Sequence, residues 1–155
     1  MTKLNELKIS EAAVLLRNGK VTSEEITASC LSEMEKKRSL NTFITETADL
    51  AIMSARESDQ RRKRGENRGE LDGIPLAYKD LFCTKGVMTT AGSKILNGFV
   101  PSYESTVTEN LRRSGAVMLG KTNLDEFAMG SANETSAYGP AINPWQGIDK
   151  VDLVP

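Results

Sequence analysis

Hydrolytic chemistry in this sequence has to do without imidazole, because no histidine occurs among its 155 residues. The Ser-His-Asp and Cys-His arrangements are therefore excluded, and lysine or a carboxylate would have to act as base. Lys79 is the lysine whose setting stands out. It closes an apolar run, Ile74-Pro75-Leu76-Ala77-Tyr78, and Asp80-Leu81-Phe82 follows it where a polar loop would be ordinary. Spacing leaves two placements open: a buried side chain, whose desolvation would make the amine a base, or a buried stem with the ammonium in water. Cys30 and Cys83 form no close-spaced pair and have no His to complete a zinc site of the usual kinds. Neither a metal centre nor a disulfide framework is expected.

Two short patterns compete for attention. Gly115-Ala116-Val117-Met118-Leu119-Gly120-Lys121-Thr122 has the spacing of a phosphate loop, glycine, four residues, then Gly-Lys-Thr. That loop works by wrapping backbone N–H groups around a phosphate, whereas Ala-Val-Met-Leu is an apolar run suited to a buried strand. A helical pattern also precedes it where a strand should, and no later strand ends in an acid to hold magnesium. Asn133-Glu134-Thr135 is a glycosylation triplet by pattern, but the sequence carries no secretory signal, and such triplets arise readily by chance.

These residues need a scaffold, and the pattern supplies one. Ser10 as N-cap and Gly19 as stop frame a helix over 11–18. Thr22 with Glu25 forms a capping box for a second helix reaching about Lys37, its apolar face made by Ile26, Cys30, Leu31 and Met34. Phe43-Ile44-Thr45 reads as a short strand. Leu50, Ala51, Ser54 and Ala55 support a third helix ending in Arg61-Arg62-Lys63-Arg64-Gly65, a basic run read as a solvated helix end favoured by the macrodipole. A polar loop over 65–69 follows. Ile74–Tyr78 reads as a strand, Thr106 with Glu109 caps a helix ending at Gly115, and Ala116–Leu119 is a buried strand. Alternating strands and helices argue for an α/β sheet.

Composition agrees. With 39% hydrophobic and 26% charged residues the chain has a soluble globular make-up, and its length suits one domain or part of one. Twenty basic and 21 acidic residues nearly cancel, so no global field draws it to nucleic acid or an anionic membrane. The N-terminus has no apolar leader and no apolar run is long enough to span a bilayer, which points to the cytoplasm. No repeat, heptad or low-complexity segment occurs.

The segment Leu71-Asp72-Gly73-Ile74-Pro75-Leu76-Ala77-Tyr78-Lys79-Asp80 resembles the part of amidase-signature enzymes that presents their catalytic lysine, and Lys79 falls on that position. Gly120-Lys121-Thr122-Asn123-Leu124-Asp125-Glu126-Phe127-Ala128-Met129-Gly130-Ser131, with Asn133-Glu134-Thr135 and Tyr138-Gly139-Pro140, looks more like the A subunits of glutamyl-tRNA(Gln) amidotransferases than like other members. The likeness runs to about Trp145. It implies the N-terminal part of the amidase-signature fold, a mixed sheet covered by helices and incomplete in this chain. The expected division is a helical region about 1–69, the start of the α/β core about 70–145, and a divergent tail 146–155.

The resemblance further implies a glutaminase whose Ser nucleophile and second, cis-peptide serine relay a proton to Lys79. Both serines belong to a Gly/Ser-rich stretch expected downstream of residue 145 and not found in this sequence. A neutral base lysine asks burial to lower its pKa by roughly 3 units, about 4 kcal/mol, and the oxyanion donors, worth about 3 kcal/mol each, would belong to the same downstream stretch. The chain alone is therefore expected to be inactive. Ala128, Met129 and Gly130 would border the substrate pocket, with simple core as the alternative for the Met and Ala. Ammonia from glutamine would pass to a B subunit that uses ATP and Mg to amidate misacylated Glu-tRNA(Gln), with a C subunit bracing the pair. No cofactor would be bound by this chain itself. Two other readings stay open: a non-catalytic partner-binding module, and part of a general small-molecule amidase.

Overall fold

The structure, a computed structural model, describes residues 3–145, so the expected tail at 146–155 lies outside the described residues. Four helices and three strands carry the fold: α1 (Ile9–Arg17), α2 (Ser23–Lys36), β1 (Phe43–Glu46), α3 (Ala48–Lys63), β2 (Pro75–Lys79), α4 (Thr106–Arg113) and β3 (Val117–Thr122). The strands form one sheet in the order β1–β3–β2. Backbone bonds fix its sense. Val117 donates to Ile74 O at 2.9 Å and Asp80 to Thr122 O at 3.1 Å, so β2 and β3 run parallel, while Thr47 to Leu119 O (3.1 Å) and Asn123 to Thr42 O (2.8 Å) make β1 antiparallel. The sheet is mixed, as expected, with β3 central. Pro75 opens edge strand β2, a position where its missing N–H breaks no ladder bond.

The chain divides into two units, and β2 and β3 each pass from the first into the second. The first takes the described residues up to Lys36, with Thr47–Ala77 and Glu109–Gly120. Its core has two clusters. Ala12, Ala13, Leu16, Ile26 and Ile74 form one, and Ala51, Ala55, Val117 and Leu119 the other, with Cys30, Leu31 and Met34 packed on it. Alanines one turn apart on α3 let that helix approach β3 closely. Burying Leu16, Ile26 and Ile74 contributes about 2 kcal/mol each. Asp59 of α3 accepts the free N–H groups of Ser23 (2.8 Å) and Glu24 (3.1 Å), capping α2 with a carboxylate at its positive end.

The expected capping box is present: Thr22 N–H donates to Glu25 at 2.8 Å and Glu25 N–H to the Thr22 hydroxyl at 3.1 Å. The caps of the two shorter helices differ from expectation. Helix α1 begins one residue before Ser10, and Glu11 instead accepts from the Lys8 N–H at 2.9 Å. At α4 the cap is Ser105, whose hydroxyl accepts from Thr108 N–H at 3.2 Å. Glu109 turns away to Arg112 and Arg113 (2.9 and 2.7 Å). In both cases a neighbouring side chain competed for the role the pattern assigned.

The basic run at the end of α3 is not a wholly solvated helix end. The side chain of Arg61 is 12% exposed and grips the fully buried Asp72 carboxylate at 2.6 Å, and Arg62 donates to the Asp72 carbonyl at 2.8 Å. Arg68 N–H reaches the same carboxylate at 2.8 Å. A methyl group at Gly115 would overlap Asp72, and Gly115 sits at φ +79, so glycine is required there twice over. Burial pushes the Asp72 pKa up, but the Arg61 guanidinium, the Arg68 amide and the Ser58 hydroxyl more than offset it, leaving the carboxyl below its ordinary value.

Asp72→Ala should destabilise the fold by about 3 kcal/mol by leaving Arg61 without its partner, measured by urea denaturation. Because the folded pKa of Asp72 is depressed, its contribution is complete above the unfolded value near ~4 and disappears as pH falls through the folded one. The gap between wild type and variant should accordingly close in acid and not in alkali.

Candidate functional site

The second unit takes Lys37–Glu46, Tyr78–Thr108 and the described residues from Lys121 on. Strand alternation sets the orientation of its lysine. Tyr78 and Asp80 are buried, so Lys79 between them faces outward. The apolar run before it is an edge strand buried on one face only, and of the two placements open from the sequence the structure shows an exposed side chain. The Lys79 ammonium has no hydrogen-bond or ion-pair partner among the described residues. Tyr78 supplies no proton chemistry at neutral pH, since burial, with the charge of Glu104 second, pushes its phenol up to about 12.

A tight turn follows Lys79, closed by Phe82 N–H on the Lys79 carbonyl at 3.0 Å. Behind it lies a buried ionic cluster. Asp80 is fully buried; its Oδ2 accepts from Thr90 N–H (2.9 Å) and the Thr90 hydroxyl (2.5 Å). Lys121, also 0% exposed, stands 3.5 Å from Asp80 Oδ1. Its Nζ donates to the Phe82 carbonyl at 2.7 Å and the Thr89 hydroxyl at 2.8 Å. Burial lowers the pKa of Lys121, and the negative charge of Asp80 works against that. The segment with phosphate-loop spacing is thus a strand, β3, with its lysine turned into the protein.

Ala128, Met129 and Gly130 lie at the end of a short 3-10 turn, Glu126–Ala128. They are not core: Met129 is 84% exposed and Ala128 is half-buried. Phe127 and Ala128 adopt φ of 52 and 59, left-handed values that non-glycine residues hold only under constraint. Phe127 N–H to the Ala91 carbonyl and Ala128 N–H to the Asp125 carbonyl, both 2.8 Å, hold them there, and Asp125 also ties down the segment that follows. Its carboxylate accepts from Asn133 N–H (2.8 Å), Thr135 N–H (2.9 Å) and the Thr135 hydroxyl (2.8 Å). A methyl at Gly130 would come within 2.5 Å of it. The glycosylation triplet is consumed in this knot, and the Asn133 side-chain oxygen accepts from Ala141 N–H at 2.6 Å. One residue joins the turn to the lysine: Ala91 donates to the Asp80 carbonyl (3.0 Å) and accepts from Phe127 N–H (2.8 Å).

Among the described residues no group of three or more His, Cys, Asp or Glu could hold a metal ion, and no helix is long and apolar enough to cross a membrane. Sequence reasoning overlooked Lys121, Asp80, Thr90 and Asp125. A lysine inside an apolar strand and an aspartate directly after a strand were visible signals of a buried pair, but the phosphate-loop spacing drew attention from the first.

The Amidase family model matches residues 25–148. The chain belongs to the amidase family. It is 60% identical over 148 residues to the A subunit of the glutamyl-tRNA(Gln) amidotransferase of Rhodospirillum rubrum and 56% identical over 156 to that of Azorhizobium caulinodans. These alignments cover 96% and 100% of this chain but 29% and 31% of the relatives. The chain therefore spans about three tenths of their length. Among solved amidases, the native peptide amidase from Stenotrophomonas maltophilia superposes with TM-score 0.83 at 34% identity, over 91% of this chain and 30% of that one. A chain of a vestigial protein complex that bears on the evolutionary origins of an s-triazine catabolic enzyme gives 0.83 at 35%, over 89% and 31%. The α/β fold with a mixed sheet is part of the amidase fold.

The hydrogen bonds from Thr135 and Asn133 hold the Asp125 carboxyl at about 2. A carboxyl-carbon NMR titration should place its midpoint there, and Thr135→Val, which keeps the N–H bond and removes the hydroxyl bond, the second largest cause, should raise it. The sign is that of a depressed acid: the knot at 125–135 stays closed above the ordinary carboxyl range and opens only as pH drops through the folded value.

Proposed function

We propose that this chain presents the base, Lys79, of the glutamine-hydrolysing component of an amidotransferase that supplies ammonia for Gln-tRNA(Gln) formation. The observation that carries this reading is the 60% identity over 148 residues to the A subunit of a glutamyl-tRNA(Gln) amidotransferase, with Lys79 standing free at the end of β2. In this reading a nucleophilic serine loses its proton through a second, cis-peptide serine to the Lys79 amine. Attack on the glutamine carboxamide gives an acyl-enzyme and ammonia, and water then releases glutamate. Both serines and the oxyanion donors come from sequence beyond these residues.

Physical chemistry supports the dependence on that further sequence. A lysine serves as base when its ammonium is stripped of water, and here water reaches Lys79. Ala128, Met129 and Gly130 line the approach to glutamine, their backbone preset by the Asp125 knot. Ammonia passes to a B subunit that spends ATP, with Mg, on activating Glu-tRNA(Gln), and a C subunit braces the pair; this chain holds no cofactor of its own. The chain by itself does not turn over glutamine. A second reading, a partner-binding module, is favoured by the apolar side chains the second unit exposes, among them Ile95, Met129 and Trp145. A general small-molecule amidase differs only in substrate, and the Asp125–Ser131 segment leans against it.

The test is ammonia release from glutamine. The pure 155-residue chain should release none above background. Supplied with the remaining segment of the Rhodospirillum rubrum relative, together with the B and C subunits of that enzyme, it should gain activity. Lys79→Ala should then reduce this activity about a thousandfold, the scale of a lost general base. Turnover by the chain alone, or a completed enzyme indifferent to Lys79→Ala, contradicts the proposal.

A further inference from the structure

Lys121 is the most deeply buried large side chain of the second unit, and its surroundings are specific. Its three donors meet the Phe82 carbonyl at 2.7 Å, the Thr89 hydroxyl at 2.8 Å and, at ion-pair distance, Asp80 Oδ1 at 3.5 Å. Asp80 Oδ1 is buried and accepts no hydrogen bond of its own, so the Lys121 charge is what balances it. These partners belong to the turn that presents Lys79 or to the segment bonded to it. Asp80 is the residue after it. Phe82 N–H closes the turn on the Lys79 carbonyl. Thr89 adjoins Thr90, which holds the other Asp80 oxygen, and Ala91 N–H takes the Asp80 carbonyl.

Stability does not explain such a pair. Two buried ions are commonly replaceable by apolar side chains at no loss, because desolvation consumes what their attraction supplies. What a buried ion pair with directed hydrogen bonds does supply is a fixed arrangement. We infer that Lys121 is a positioning residue for Lys79: its ammonium ties Asp80, Phe82 and Thr89 together and so fixes the turn that aims Lys79. The inference rests on the reading of Lys79 as the base. It also removes Lys121 from phosphate chemistry, since its donors are spent inside the fold.

Amide exchange and backbone nitrogen relaxation of Lys79, both by NMR on the 155-residue chain, test this without turnover. Lys121→Met combined with Asp80→Asn leaves no buried charge unpaired. In it the amides of Phe82 and Ala91 should exchange about tenfold faster and the Lys79 backbone N–H should gain amplitude of motion, while amides of α2 and α3 stay unchanged. Thr90→Val, which keeps shape and the backbone N–H bond to Asp80 but loses the hydroxyl's bond to it, should loosen the turn in the same direction, and Thr90→Ser should restore it. The inference is overturned if the double variant, or Thr90→Val where the double variant does not fold, leaves those amides and Lys79 as in wild type. It is equally overturned if millimolar inorganic phosphate shifts the Lys121 signals. A firm turn in a completed enzyme indifferent to Lys79→Ala would refute the base assignment alone; a slack-turn variant with full Lys79-dependent glutaminase would refute the positioning alone.

Discussion

An ammonium taken out of water must find compensation within its own reach, and in this chain that requirement falls on Lys121. Its partners are drawn from two stretches, Asp80 and Phe82 in one and Thr89 in the other, and it ties both to β3. The irregular backbone between Phe82 and Thr106 contains no helix longer than the short turn Lys94–Leu96 and no strand of the sheet, and is held by scattered bonds such as Gly86 N–H to Pro101 O and Thr89 N–H to Phe99 O. The buried pair gives that region a fixed point, and the end of edge strand β2 inherits it. The first unit uses the same device once more, with Arg61 and Asp72 joining the end of α3 to the turn before β2. Each unit thus keeps one buried carboxylate beside the strand that bears the lysine, and each carboxylate is held by a cation and by backbone N–H or hydroxyl donors.

Much of the architecture was legible in the pattern. The Thr22/Glu25 box, the apolar face of α2, the short strand at Phe43 and the buried strand after Ala116 followed from propensity and periodicity, and the rejection of a phosphate loop followed from the apolar character of Ala116–Leu119. What escaped was any feature decided by a distant partner. Periodicity could not say that β2 would be an edge strand, and so could not choose between a buried and an exposed Lys79. Composition could not tell that Arg61 would leave the solvent to meet an aspartate eleven positions on. Ser105 displaced Thr106 as a cap because Glu109 found two arginines, a competition invisible to a pattern that scores one pair at a time.

The site residues divide in the same way. The family resemblance pointed to Lys79 and to residues 128–130 as expectations, and the structure shows the segment that follows tied back to Asp125 through Asn133 and Thr135. Met129 looked equally suited to core or pocket from its type; among the described residues it is exposed. The amidase family assignment, the mixed sheet and the outward lysine agree with one another. Their common consequence is a strand end that carries an exposed amine at the edge of the sheet.

The most direct measurement of this account is lysine-selective nitrogen NMR of the Lys121 ammonium near neutral pH. The account predicts a charged, slowly exchanging group with couplings across its bonds to Phe82 and Thr89, titrating below the ordinary lysine range because burial outweighs Asp80. A Lys121 signal that exchanges with water as a surface lysine does, with no such couplings, would contradict it.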